Sequence, residues 1–204
     1  MNRTLSFTVL FLLISLVTAV ADPVAVFDLQ WGGRRDRRTR SFAIAFFDKE
    51  APYTVYNFKR LVQSGFYVKT TIHRAIPNYL VQGGDPLSKK KDRGLVGTGG
   101  PGYTLPPEIN PRRKHVRGAV AMGRLSDAVN PKRLSNGSQF YACLQPIPSQ
   151  DGKDTVFGQV VAGLEALDEI SRLPTDNNAN PIDRVIITRA YIIDRSQLGG
   201  PVVR

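Results

Sequence analysis

The stretch His73–Asp85, HRAIPNYLVQGGD, decides how this chain is read. A strand with one buried face alternates apolar and polar residues, and HRAIPNYLVQ does so only loosely, with Pro77 as a break or bulge in its middle. One arginine and one glutamine, Arg74 and Gln82, interrupt a run that is otherwise apolar, aromatic or turn-forming. Such groups either face water or line a site.

Outward from this stretch the pattern is mostly β. Val24–Leu29 and Ser41–Phe47 are rich in β-branched and aromatic residues and are joined by GGRRDRRTR, which reads as an elaborated hairpin loop over Gly32–Arg40. Val55, Phe58, Leu61 and Val62 recur at helical spacing after Pro52, with Gly65 as the stop, predicting one amphipathic helix. Further strands are predicted at Gly118–Met122, Ser138–Cys143, Thr155–Val160 and Asp183–Ile193, with a second helix at Ala162–Leu173 ended by Pro174. SQLGGPVVR reads as a frayed tail. Many short strands and two isolated helices, without βαβ alternation, predict a closed antiparallel sheet capped by helices.

The 204 residues suit a single domain. Its first segment reads as a signal peptide, residues 1–21: a short basic start, an apolar run from Leu5 to Val20, and the small-x-small site Ala19-Val20-Ala21. Export to the periplasm or outside the cell is the expectation, with an uncleaved membrane anchor as the rival. Cys143 is the only cysteine, so packing rather than a disulfide must hold the domain, and its place in an apolar run marks it as core. The net charge of +11 favours polyanionic partners. Arg34, Arg35, Arg37, Arg38 and Arg40 concentrate that charge; a solvated loop is the leading reading of such a run, and a weak anionic-surface contact is the alternative. Specific nucleic-acid binding is not expected, and nothing in the pattern points beyond a monomer.

Several chemistries are excluded by context. GTGGPG at Gly97–Gly102 matches the dinucleotide fingerprint in form, but YTLPPE follows it and cannot open a helix, so it reads as a tight loop with positive φ angles. The two histidines, His73 and His115, lack partners at metal-ligand spacing. No G-x-S-x-G elbow is present for a serine hydrolase. What remains is Arg74, Gln82 and Gln139 set in apolar strands, with Tyr79, Leu80, Phe140 and Tyr141 nearby; a network of satisfied buried polar groups and a site fit this pattern equally well.

Five blocks in order, HRAIPNYLVQGGD, GTGGPGY, AMGR, SNGSQFYA and DGKDTVFGQV, resemble the cyclophilin-type peptidyl-prolyl cis-trans isomerases over Val24–Ile193. The MGR block and the extra residues LSDAVNPKRL resemble the bacterial branches of that family. The resemblance implies an eight-stranded antiparallel β-barrel with a helix over each open end and a groove on the outer face. It further implies rotation about X-Pro bonds in folding proteins, without a cofactor or metal. By the same resemblance, Arg74 is the hydrogen-bond donor to the prolyl nitrogen, Gln82 holds it, and Gln139 assists along the groove. Tyr79, Leu80 and Tyr141 form the proline pocket, Gly123 and Arg124 contact the residue before proline, and His73 is structural.

Four positions depart from the family pattern. Tyr141 stands where phenylalanine is usual, and its hydroxyl must find a partner or reach water. Asp154 replaces a histidine beside the pocket, which makes the rim less apolar. Ser149 and Gln150 stand near the places of an aromatic residue and a leucine. Reduced isomerase activity and weak binding of cyclosporin-type inhibitors are therefore expected. A low-activity module that only binds Pro-containing segments or a partner protein is the alternative.

Overall fold

The computed structural model describes residues 22–199, and the expected signal peptide lies outside them. Eight strands close into one antiparallel barrel in the order β1-β2-β7-β5-β6-β4-β3-β8. They are β1 Pro23–Trp31, β2 Arg38–Phe46, β3 Thr71–Ile76, β4 Leu80–Gly83, β5 Ala119–Met122, β6 Phe140–Cys143, β7 Val156–Ala162 and β8 Val185–Asp194. Two helices complete the fold, α1 Pro52–Gln63 and α2 Leu164–Ser171. No described helix is long and apolar enough to cross a membrane.

Side-chain alternation along the strands sorts residues into two layers. Phe27, Phe42, Ile72, Val81, Val120, Phe140 and Phe157 point inward, where Phe58 from α1 and Leu167 and Ile170 from α2 join them. The aromatic rings of Phe27, Phe58, Tyr67 and Phe140 pack at centroid distances between 5.2 and 5.9 Å, so the barrel interior is solid. The alternate residues Leu80, Ala119, Ala121, Tyr141, Cys143 and Val156 form a separate apolar cluster on the outer wall. Cys143 is fully buried there, as its surroundings in the sequence imply.

Local chemistry sets the element ends. Pro52 opens α1, and because Ala51 offers no capping oxygen, the carboxylate of Glu108 accepts from the amides of Tyr53 and Thr54 at 3.0 and 2.7 Å. Gly163 takes a left-handed φ of 76° before α2, which delays that helix to Leu164 and makes it shorter than the periodicity suggests. The arginine-rich segment also differs from its expected form. β2 begins at Arg38, so only Gly32–Arg37 is loop, and Arg38 and Arg40 lie on a strand. Both bond Glu169 of α2, at 2.5 and 3.0 Å, and so are engaged within the fold. Arg34, Arg35 and Arg37 are the exposed arginines that stay in the loop, while Arg38 and Arg40 are exposed but paired on the strand.

Pro77 is a break in the run, not a bulge. It sits in the turn Pro77–Tyr79 between β3 and β4, with Asn78 at φ 54°. The bulge falls at His73, where the register jumps from Ile72 opposite Gly83 to Arg74 opposite Gln82. A bulge re-aims side chains, and here it leaves Ile72 in the core, buries His73 and turns Arg74 outward.

Candidate active site

The pairing register places Arg74 opposite Gln82, Gln82 opposite Tyr141, Tyr141 opposite Ala121, and Ala121 opposite Val156. Cross-strand partners share a face, so these residues form one row across five strands on the outside of the barrel. Arg74 is exposed at its end and donates to Gln82 Oε1 over a long 3.5 Å. Gln82 Nε2 in turn donates to Gln139 Oε1 at 2.9 Å. Gln139 is buried and bonds the carbonyls of Gly97 and Gly99 at 2.9 and 2.8 Å, which anchors the row to the Gly-rich loop. Asp85 holds that loop from beneath through the amides of Gly97 and Gly99. A side chain at Gly99 would meet the Asp85 carboxylate at 2.2 Å, so this glycine is required for close approach.

A cavity of about 510 Å³ opens beside the row, lined by Arg74, Tyr79, Leu80, Gln82 and Tyr141 among others. Leu80 and Tyr141 of the outer apolar cluster, with Tyr79 packed against it, form the apolar part of its lining. A second cavity of about 540 Å³ adjoins it across Gly123 and Arg124. Leu125, Val129 and Leu134 wall this second space, so LSDAVNPKRL contributes apolar lining that sequence reasoning did not assign.

A continuous polar network runs through the wall of the first cavity. The Tyr141 hydroxyl donates to Asp154 Oδ2 at 2.7 Å and lies 3.0 Å from His115 Nε2, while His115 Nδ1 is 3.0 Å from Asp151 Oδ1. The other oxygen of Asp154 takes Arg124 Nε at 2.5 Å. Arg124 then bonds Asp127 at 2.6 Å, and Asp127 bonds Arg133 at 2.9 Å. Burial first, and the Asp154 carboxylate second, push the Tyr141 phenol well above its usual range, so the hydroxyl keeps its proton and donates. The Tyr141 hydroxyl thus finds its partner. Asp154 faces Arg124 and Tyr141 with its side chain only 10 % exposed, so it does not stand at the rim as a free charge. Arg124, with its side chain 8 % exposed, is locked by two carboxylates.

The sequence profile of the family described as cyclophilin type peptidyl-prolyl cis-trans isomerase/CLD matches residues 35–192. The chain belongs to this family. A peptidyl-prolyl cis-trans isomerase-like 1 of Aspergillus niger is 36% identical over 161 residues, covering 79% of this chain and 94% of that protein. A peptidyl-prolyl cis-trans isomerase of Synechococcus elongatus is 44% identical over 116 residues, covering 57% of this chain and 70% of that one. A crystal structure of a Cryptosporidium parvum cyclophilin type isomerase in the presence of the dipeptide Ala-Pro superposes with a TM-score of 0.66 at 29% identity, covering 82% of this chain and 99% of that one. Sequence relatives and fold agree, so the chain is an enzyme of the isomerase class with the cyclophilin barrel.

Within the cyclophilin groove the residues expected from the sequence converge. Arg74, Tyr79, Leu80, Gln82, Gly123, Arg124, Tyr141 and Asp154 line the first cavity, and Gln139 lines the second. Ser149 is exposed on the short turn Pro148–Gln150, and Gln150 reaches the first cavity. His115 went unassigned in the sequence because its partners Tyr141 and Asp151 lie 26 and 36 residues away. Among the described residues no group of three metal-ligating side chains occurs.

Proposed function

We propose that the groove accelerates rotation about X-Pro bonds in folding polypeptides, with Arg74 donating to the prolyl nitrogen of the twisted amide. Amide resonance sets a barrier of about 18–20 kcal/mol. In the planar ground state the nitrogen lone pair is delocalised, and in the twisted state it localises and becomes an acceptor. A donor aimed there binds the transition state more tightly than the substrate, which is the condition for catalysis. Arginine suits this role because its guanidinium keeps its protons and offers a planar fork.

The observation that carries the reading is the row itself: an exposed guanidinium at the lip of a cavity whose apolar part is Tyr79, Leu80 and Tyr141, backed by Gln82 and through it by the buried Gln139. Tyr79, Leu80 and Tyr141 would take the proline ring. Gly123 and Arg124 would lie along the residue before it. The Ala-Pro dipeptide of the Cryptosporidium parvum structure supports proline-containing segments as substrate. The Arg74→Ala variant is expected to lose about 10²–10³-fold in kcat/KM for a proline-limited refolding reaction while keeping its unfolding midpoint. Undiminished acceleration by that variant would remove Arg74 from the mechanism. Exchange spectroscopy on a short X-Pro peptide separates turnover from the alternative of a binding module, which gives shifts without faster cis/trans exchange.

The apolar run and Ala-x-Ala site in residues 1–21 support export of the working enzyme. N-terminal sequencing of material from the periplasm or medium is expected to begin at Asp22.

A further inference from the structure

The Tyr141 hydroxyl faces two acceptors and has one proton to give. It lies 2.7 Å from Asp154 Oδ2 and 3.0 Å from His115 Nε2. On the other edge of the imidazole, Asp151 Oδ1 accepts from the His115 backbone amide at 2.8 Å and stands 3.0 Å from Nδ1. The His115 side chain has no exposed surface and Tyr141 is buried, so bulk water supplies neither with a further partner. Tyr141 and Asp154 are two of the positions where this chain departs from the family pattern, and the bond between them needs both departures.

Counting protons along the chain Asp151, His115, Tyr141, Asp154 decides the state of the ring. Both ends are carboxylates. The His115 backbone amide chiefly holds Asp151 below its ordinary range, and Asp154 pairs with Arg124 Nε at 2.5 Å. Carboxylates only accept, while a neutral imidazole and a phenol bring one hydrogen each, so two protons serve three contacts. With Nδ1–H on Asp151 and the hydroxyl on Asp154, the Nε2 lone pair is left facing the Tyr141 oxygen at 3.0 Å inside a dry site. An imidazolium supplies the missing proton: Nδ1 donates to Asp151, Nε2 donates to the Tyr141 oxygen, and the hydroxyl donates to Asp154. Placing that proton on Asp154 instead would take the charge from a partner of the enclosed Arg124.

The other groups near the ring leave the count unchanged. Lys114 Nζ stands 3.8 Å from Asp151 Oδ2, and Arg124 lies beyond Asp154. Burial pushes the Cys143 thiol, on the same strand as Tyr141, up to about 12, so it stays neutral. Tyr141 lines the first cavity, and whatever holds its ring also sets that part of the lining.

We propose that His115 is a positioning residue for the groove: protonated on both nitrogens it bonds Asp151 and the Tyr141 oxygen and holds Tyr141 in the cavity wall, and with one proton it lets that ring go. The inference rests on the first cavity receiving the proline ring. Its sign is fixed by the count, since the held form is full in acid and empties as the pH rises through the titration of His115.

The test follows the His115 ring nitrogens and the Tyr141 side chain by NMR between about pH 5 and 9, with the affinity for acetyl-Ala-Pro-amide measured at each pH. In wild type both nitrogens are expected to carry protons at the acid end, the Tyr141 resonances to move with the loss of one, and affinity to fall about three- to tenfold with the same midpoint. His115→Gln offers an amide N–H at every pH and should bind tightly without that step. His115→Phe offers none and should bind weakly throughout, with thermal unfolding as the check that both variants fold. Tyr141→Phe has no hydroxyl to hold and should lose the step. A ring with a single proton at the acid end, Tyr141 resonances or an affinity that stay constant while the ring changes protonation, a step that persists in Tyr141→Phe, or equal affinities of folded His115→Gln and His115→Phe would each overturn the inference. A peptide that binds at no pH fails the functional reading, whereas the His115 and Tyr141 resonances still decide whether one sets the other.

Discussion

The two histidines of this protein are both buried in polar surroundings near one groove, yet they are used in opposite ways. His115 has a partner on each ring nitrogen and belongs to a network that ties the wall of the first cavity through Tyr141, Asp154 and Arg124. His73, on the other side of Arg74, has none. A satisfied buried group holds structure, whereas an unsatisfied one costs stability. The groove thus has one wall tied together by hydrogen bonds and one that holds an unpaired imidazole.

The largest effect should come from breaking the hydrogen-bonded wall at its buried ion pair. Asp154→Ala leaves Arg124 enclosed with only Asp127 as counter-charge, and should cost about 3 kcal/mol in urea unfolding. A loss under about 1 kcal/mol would mean that the wall relaxes and that Asp154 is dispensable. Tyr141→Phe removes the hydroxyl that joins His115 to Asp154 and should cost about 1–3 kcal/mol by the same measurement. On the His73 side the sign reverses. His73→Phe removes two idle polar atoms from a buried position and is expected to be neutral or to stabilise by about 1 kcal/mol.

Acid sharpens the contrast. Below the ordinary histidine value of 6.5 the unfolded chain takes up a proton that His73 in the folded state resists, because burial depresses its pKa. Stability is therefore complete above about pH 6.5 and falls as the pH drops toward the folded-state value, by at most about 1.4 kcal/mol per pH unit. Urea midpoints between pH 7 and 5 should show this decline in wild type and lose it in His73→Phe. Asp151 acts in a lower window. The His115 backbone amide chiefly, with its ring and Lys114, holds the carboxyl below 3.8, so its contribution is present above that pH and is lost as the pH falls through the folded-state value in both proteins. The smallest effect belongs to the exposed pairs of β2: Arg38→Ala should cost about 0.5 kcal/mol or less, and less still at high salt.

Much of this was legible in the chain. The period-2 runs around Phe27, Phe42, Val120 and Phe157 and the helical spacing of Val55, Phe58, Leu61 and Val62 mark their elements because local periodicity follows directly from backbone geometry. Arg74 and Gln82 stood out because polar residues in an apolar strand need a reason, and the register of β3, β4 and β6 supplies it. Pro77 was the visible irregularity, but a bulge depends on how two strands register, and that placed it at His73. The engagement of Arg38 and Arg40 with Glu169 spans 131 and 129 residues, and no local pattern announces such a contact.

By itself, then, the sequence determined a barrel of short strands with two helices, the family of the chain and the residues of the groove, since propensity, alternation and motif order are all local properties. Only the tertiary structure decided which polar groups are satisfied. Hydrogen-bond partnership depends on distances of about 3 Å between segments far apart in the chain, and it separates a His115 that is complete from a His73 that is not.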